Sequence, residues 1–219
     1  MASRKRGREV ARCRWAESSE AMRVYHDAEW GRAVHDDDRL FEMLTLEGAQ
    51  TGLSWAVILG KREGYREAFH AFRIEQVAQM TADEVDRLVA DAPIVKNRSK
   101  INSVVSNAKV VQKIRNERKI AFSDYVWGFL ERENERLHGT KQDRTPQLHR
   151  SNACIVTNKL AENMAAAMKK DGFKYVGPSV IYSFNQAIGM TLDHDPSCFC
   201  FDENAGRLEA ASEYQKKKT

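Results

Sequence analysis

The chain has 219 residues, of which 42% are hydrophobic and 30% charged, with a formal net charge of +4. That length supports one domain with a sizeable core, and the composition excludes a disordered or membrane-embedded chain. The small basic excess suits a polyanionic partner and suits an ordinary solvated surface equally well.

The first eleven residues, with Arg4, Lys5, Arg6 and Arg8, read as a charged arm. No hydrophobic stretch follows it, so it is not a secretory signal. The best apolar run, Ala56-Val57-Ile58-Leu59, is far too short to span a membrane. The expected location is the cytoplasm, or the nucleus in a eukaryotic host. In a reducing compartment Cys13, Cys154, Cys198 and Cys200 are metal ligands or free thiols rather than disulfides.

Helical spacing dominates the rest. Asp36 to Asp38 put negative charge ahead of the apolar stripe Leu40, Phe41, Met43 and Leu44. Ser54 is a cap for a helix through Trp55 and Ile58. Thr81 and Glu84 form a capping box before Val85, Leu88 and Val89. Ile101, Val104, Val105, Ala108, Val111 and Ile114 trace a long helix. Ser123 and Asp124 open a segment carrying Val126, Trp127 and Leu130. Residues 131–153, with Gly139 and Pro146, read as an exposed linker or irregular surface. Thr157 starts a helix that Gly172 stops, and Pro178 starts another that Gly189 stops. No strand pattern competes, so the expected fold class is all-α. The expected organisation is a basic arm (1–11), a single domain (12–203) and a tail (204–219) ending in Lys216-Lys217-Lys218.

Three features carry chemistry. Cys13 and His26 near one end, with the H-x-x-x-C pair His194 and Cys198 near the other, offer two thiolates and two imidazoles. Such a set makes a closed tetrahedral zinc site with no open position; two distant pairs also arise by coincidence, as buried thiols and surface histidines. Leu46 to Trp55 places Glu47 before a loop with Gly48 and Gly52 and an aromatic after it, which suits a pocket lining or a plain helical connection. Leu88 to Lys100 reads as helix, short turn and basic helix start, an arrangement that suits phosphate and is also an ordinary helical hairpin.

Taken in order, the strings become specific. Cys13-Arg-Trp15, Tyr25-His-Asp-Ala-Glu-Trp-Gly31, Leu40-Phe-Glu-Met43, Leu46-Glu-Gly48 and Gly52-Leu-Ser-Trp55 come first. Arg87-Leu-Val89, Lys169-Lys170, Gly172-Phe-Lys174, Tyr182-Ser-Phe184 and Asp193-His194 follow. In register, over about residues 12–200, they resemble the bacterial 3-methyladenine DNA glycosylase I family. The resemblance implies a two-lobed helix-hairpin-helix glycosylase fold whose termini are joined by one structural zinc on Cys13, His26, His194 and Cys198, with Cys154 and Cys200 spare. It implies a base pocket of Tyr25, Trp30, Glu47 and Trp55, with Glu47 the acid that acts on the base. It implies a DNA wedge at Gly52 and Leu53, and the hairpin reading adds Lys96 and Arg98 as phosphate contacts. The implied partners are double-stranded alkylated DNA and the product 3-methyladenine, bound by a monomer with no membrane association.

The chemistry agrees with that implication. Alkylation at N3 makes adenine cationic and a good leaving group, so a pocket of aromatic faces and one carboxylate selects it. The base first leaves the stack, and an apolar side chain fills the gap. Four departures touch affinity and base preference: Pro93 and Ser99 where the family usually has glycine, Ala49 where it often has glutamine, and Met22 where it often has a tyrosine. The hairpin signature that precedes a catalytic aspartate or lysine in related enzymes is missing, and Asp124 reads as helix-start charge, so strand cleavage is not expected. Two competing readings are a non-catalytic DNA-binding protein on the same scaffold and a zinc hydrolase. Retention of Glu47, Tyr25, Trp30 and Trp55 opposes the first, and a filled ligand tetrahedron opposes the second.

Overall fold

A computed structural model describes residues 10–139, 141–148, 155–201, 203, 204 and 206. The charged arm up to residue 9, Cys154 and the lysine tail lie outside the described residues. The helices are α1 (Glu20–Ala28), α2 (Asp37–Gln50), α3 (Trp55–Gly60), α4 (Arg62–Ala68), α5 (Ile74–Ala78), α6 (Ala82–Asp91), α7 (Arg98–Arg118), α8 (Phe122–His138), α9 (Lys159–Asp171) and α10 (Pro178–Ala187).

Most helix starts are set by short polar side chains. Ser19, Asp36, Ser54, Thr81, Asn97 and Asn158 each accept a bond from a backbone N–H in the first turn that follows. The start of α8 is capped from a distance. Its N-cap is Ala121, which has no acceptor. The Asp37 carboxylate supplies one, taking the N–H groups of Phe122 (2.9 Å) and Ser123 (2.7 Å). Burial alone would raise the Asp37 pKa; these N–H groups and Arg115 hold it below the ordinary value.

Helix α2 is the central rod, buried at every residue from Leu40 to Ala49. It packs against α3, α7, α8 and α10. Trp127 of α8 and Phe184 of α10 are among the largest buried side chains. The Trp127 indole donates to the Val34 carbonyl at 2.8 Å, fixing the strand of chain that leads into α2.

A network of ions ties α1, α2 and α4 together. Arg62 donates to Glu42 (2.8 Å) and to both Glu29 oxygens (3.0 and 3.1 Å), and Arg66 donates to Glu42 (3.0 Å). Arg39 pairs with Glu29 and Glu42 as well. Burial would raise the Glu42 pKa, but the Arg62 and Arg39 charges reverse this and hold it low.

Three expectations need correction. The fold is not purely helical: β1 (Gln147–Leu148) and β2 (Thr191–Leu192) pair in parallel, Gln147 with Thr191 and Leu148 with Leu192. Two residues per strand are too few to leave an alternation in sequence. Residues 131–138 are not linker but the end of α8, with Glu133 and Asn134 buried. Asn134 is buried because its amide donates to the carbonyls of Asp143 and Thr145, anchoring the segment that follows. Gly48 does not end a helix, because α2 continues to Gln50. A Cβ at Gly48 would sit 3.2 Å from the Tyr175 Cβ, so close packing rather than a turn requires glycine there.

Arg62→Met leaves Glu42 buried with fewer counter-charges and should cost about 3–5 kcal/mol in urea unfolding. Adding Glu42→Leu should restore part of the loss, since it removes the buried carboxylate that is left with only Arg39 and Arg66.

Candidate active site and metal cluster

The first and last described segments meet. The Phe199 N–H donates to the Ala11 carbonyl at 2.9 Å, which brings Cys13 beside Cys198. Cys13, His26, His194 and Cys198 are all buried, and their donor atoms lie within 4.8 Å of one another. His194 Nδ1 is 3.2 Å from His26 Nε2, 3.6 Å from Cys13 Sγ and 3.7 Å from Cys198 Sγ. Cys198 Sγ is 3.4 Å from His26 Nε2. Two thiols and two imidazole nitrogens converging on one point are a donor set that can hold a metal ion.

The surroundings favour the ligating forms of the two imidazoles, whereas burial pushes the Cys13 thiol up and so disfavours its thiolate. His26 Nδ1 lies 2.8 Å from Asp27 Oδ1, and a carboxylate only accepts, so Nδ1 carries the proton and Nε2 offers its lone pair inward. Asp27 is held in turn by Arg12 at 2.8–3.0 Å. Burial, then the neighbouring His26, push the His194 pKa down to about 4, which keeps the ring neutral. The Asp195 N–H donates to Cys13 Sγ at 3.2 Å. Cys200 is buried against this cluster.

From the cluster a row of aromatic rings leads to Glu47. Trp30 stacks on His26 (6.2 Å between centroids) and meets His194 edge-on (4.6 Å). Trp15 meets Trp30 edge-on (5.0 Å) and faces Tyr25 (6.3 Å), and Tyr25 lies against Trp55 (5.2 Å). Trp15 is a site residue that sequence reasoning quoted but did not assign. Its signal was its place two residues after Cys13, which pins it to the cluster.

Glu47 sits in the last turn of α2 and is 5% exposed. Among the described residues no group hydrogen-bonds its carboxyl, and burial alone pushes its pKa up to about 8. The Tyr25 hydroxyl is raised by burial and then by the charge of nearby Glu47. The Tyr25 hydroxyl and the Trp55 indole N–H are both buried without a partner among the described residues. A buried acid near the Tyr25 hydroxyl, with Trp55 packed against Tyr25, is a set of groups that can bind a polar ligand.

The turn after α2 carries Gly52 at φ +79 and Leu53, which is 41% exposed. It stands beside the same end of α2 that bears Glu47. The loop bearing Tyr175 (φ +56) packs against Gly48 near that helix end. It is clamped by Asn107, which accepts from Lys174 N–H (2.8 Å) and donates to its carbonyl (3.0 Å).

The two expected phosphate contacts are exposed but engaged within the chain. Lys96 donates to the Ala90 carbonyl at 2.5 Å, and Arg98 pairs with Asp86. Pro93 rests on α4, where a Cβ at Gly64 would come within 2.8 Å of its carbonyl oxygen. The neighbouring Val95 N–H points to the Tyr65 hydroxyl at 3.4 Å. Asp124 is exposed and paired with Arg144 at 3.0 Å. Met22 is buried on α1.

The sequence profile of the family described as methyladenine glycosylase matches residues 15–201. The chain belongs to the methyladenine glycosylase family. It is 37% identical over 195 residues to DNA-3-methyladenine glycosylase 1 of Escherichia coli (strain K12), covering 89% of this chain and 99% of that relative. A crystal structure of 3-methyladenine DNA glycosylase I superposes with a TM-score of 0.77 at 37% identity, covering 87% of this chain and 99% of the other. The Staphylococcus aureus enzyme, in a structure described as the basis of its 3-methyladenine recognition, gives 0.75 at 32% identity, over 86% and 95%.

The raised pKa of Glu47 has a thermodynamic sign. Its folded pKa of about 8 exceeds the unfolded 4.5, so the associated stability is full below pH 4.5 and is lost as pH rises through 8. Glu47→Gln removes the ionisation. Its melting temperature should exceed that of the unsubstituted protein at pH 9, and the gap should shrink toward pH 4–5. A pH-independent gap in a thermal scan would contradict the dry environment described for this carboxyl.

Proposed function

We propose that this chain hydrolyses the N-glycosidic bond of 3-methyladenine in alkylated double-stranded DNA, as a monofunctional glycosylase that starts base excision repair. The observation that carries the reading is Glu47: a buried acid without a hydrogen-bond partner among the described residues, near the unpaired hydroxyl of Tyr25, on which Trp55 packs with its own indole N–H unpaired. Burial makes the neutral carboxyl the cheaper form in the unliganded chain. A cationic base placed beside it reverses that preference, so binding energy is specific for the charged, alkylated base.

In this reading Tyr25, Trp30 and Trp55 enclose the extruded base, and cation–π attraction adds to the charge of Glu47. Water attacks C1′ and gives up a proton to solvent, the bond to the base breaks, and the electron pair of that bond neutralises the cationic ring. No protonation of the leaving group is needed. Glu47 holds the base as that charge moves. Leu53 fills the space the base vacates, with Gly52 shaping the turn. The α6–α7 pair acts as a helix-hairpin-helix element. Lys96 and Arg98 exchange their internal partners for phosphates there, and Pro93 contributes no N–H. The helices form two lobes about the pocket, within one unit of residues 12–203 that works as a monomer. No described helix is long and apolar enough to cross a membrane.

We also propose zinc at the cluster. Bond lengths of about 2.3 Å to sulfur and 2.0–2.1 Å to nitrogen require tetrahedral edges of roughly 3.3–3.8 Å; four of the six donor separations run from 3.2 to 3.7 Å, and all six lie within 4.8 Å. With four protein donors the ion would brace the two ends of the chain and hold Trp30, supplying no bound water to the reaction.

The deciding experiment is release of 3-methyladenine from methylated duplex DNA, run beside Glu47→Gln. The purified chain should release the base without cutting the strand. Glu47→Gln keeps shape but loses charge, a loss of about 1.5–3 kcal/mol, so excision of the cationic base should fall roughly tenfold to a hundredfold, and affinity for free 3-methyladenine, which leaves as a neutral base, should fall by less. DNA binding without base release would favour a non-catalytic protein on this scaffold. Metal analysis should find one zinc per chain. Cys13→Ser or His194→Ala should abolish it and lower thermal stability sharply. Metal-free protein of unchanged stability would refute the cluster's bracing role.

A further inference from the structure

The turn that follows α2 is a type II β-turn. The Leu53 N–H donates to the Gln50 carbonyl at 2.6 Å, Thr51 has φ −46 and ψ 115, and Gly52 has φ +79. Types I and II differ by a flip of the central peptide, here the one joining Thr51 to Gly52. The turn bond also diverts the Leu53 N–H from Ala49, its partner in a continued helix, and so frees the Ala49 carbonyl.

Lys100 satisfies both carbonyls that this geometry turns outward. Its Nζ donates to Ala49 O at 2.9 Å and to Thr51 O at 2.6 Å. It stands in the first turn of α7, where its own N–H donates to the Asn97 side chain at 3.1 Å. A lysine just after the α6–α7 connection invites assignment to phosphate. Its ammonium instead faces the C-terminal end of α2, where the helix dipole also favours a cation.

We propose that Lys100 is a positioning residue: a latch that keeps the Gln50–Leu53 turn closed in its type II form and fixes Leu53 at the C-terminal end of α2 that bears Glu47. It touches neither base nor phosphate. Through it the α6–α7 hairpin and the pocket end of α2 become one rigid unit. DNA held at the hairpin then meets a wedge already set. The kinetic part of this inference rests on the base-excision reading above; the structural part does not.

The test compares the intact chain with Lys100→Met and Lys100→Arg. Four quantities are measured: hydrogen exchange of the Gly52 and Leu53 amides, undamaged-duplex affinity across salt, affinity for free 3-methyladenine, and single-turnover excision from methylated duplex. In Lys100→Met the Leu53 amide should exchange about tenfold faster and excision should fall about tenfold, as for loss of a charged hydrogen bond. The salt slope and the free-base affinity should stay unchanged, and Lys100→Arg should recover most of the excision. A salt slope smaller by about one would make Lys100 a phosphate ligand and overturn the proposal. Equal losses of base affinity and excision would place it in the base pocket and overturn it too. Unchanged exchange at Leu53 would remove the latch outright. If the unsubstituted chain releases no 3-methyladenine, the functional reading fails, and the exchange rates alone decide the latch: faster in Lys100→Met sustains it, unchanged overturns it.

Discussion

Keeping a carboxyl dry and unpaired opposes folding, and α2 carries such a group at Glu47. The surrounding structure is arranged to tolerate that position. Nearly the whole of α2 is buried, so the helix cannot roll to expose Glu47 without exposing Leu40, Phe41, Leu44 and Leu46 as well. On a neighbouring part of the same rod Glu42 is equally buried but surrounded by Arg39, Arg62 and Arg66. Two buried glutamates five residues apart thus have opposite pKa shifts. The difference is counter-charge, not burial, and it separates a structural acid from one left open to a ligand.

The two ends of the aromatic row answer different demands. At the cluster end, rings pack against imidazoles and close the site from water. At the pocket end, Tyr25 and Trp55 keep polar atoms unsatisfied. Trp15 and Trp30 connect the two, so whatever fixes Cys13, His26, His194 and Cys198 also fixes the walls around Tyr25. An arrangement this dependent on the junction of the termini has a reason to brace them with more than one backbone bond.

Local signals were legible wherever one residue decides the outcome against its near neighbours. The caps at Ser54 and Thr81, the negative charge ahead of α2, the stops at Gly172 and Gly189, and the long apolar stripe of α7 were each readable because a helix start or face is set within one or two turns. The signal failed where the partner is remote. The start of α8 depends on Asp37, eighty-five residues away. The end of α8 depends on Asn134 holding Asp143 and Thr145. Gly48 looked like a breaker because the residue it admits, Tyr175, lies far along the chain.

For the site, sequence by itself determined which residues are present and in what order: two soft-ligand pairs, an acid before a Gly-Leu-Ser-Trp turn, and motifs in register with one glycosylase family. Residue type and spacing suffice for that, because the chemistry each side chain can offer is intrinsic to it. Only the tertiary structure decided that the four donors converge, that Glu47 is buried without a counter-charge while Glu42 is neutralised, and that Trp15 bridges the cluster and Tyr25. It also turned Lys96, Arg98 and Lys100, which look alike in sequence, toward three different partners within the chain. Distance, burial and counter-charge belong to the folded arrangement of many segments, and no short stretch of sequence encodes them.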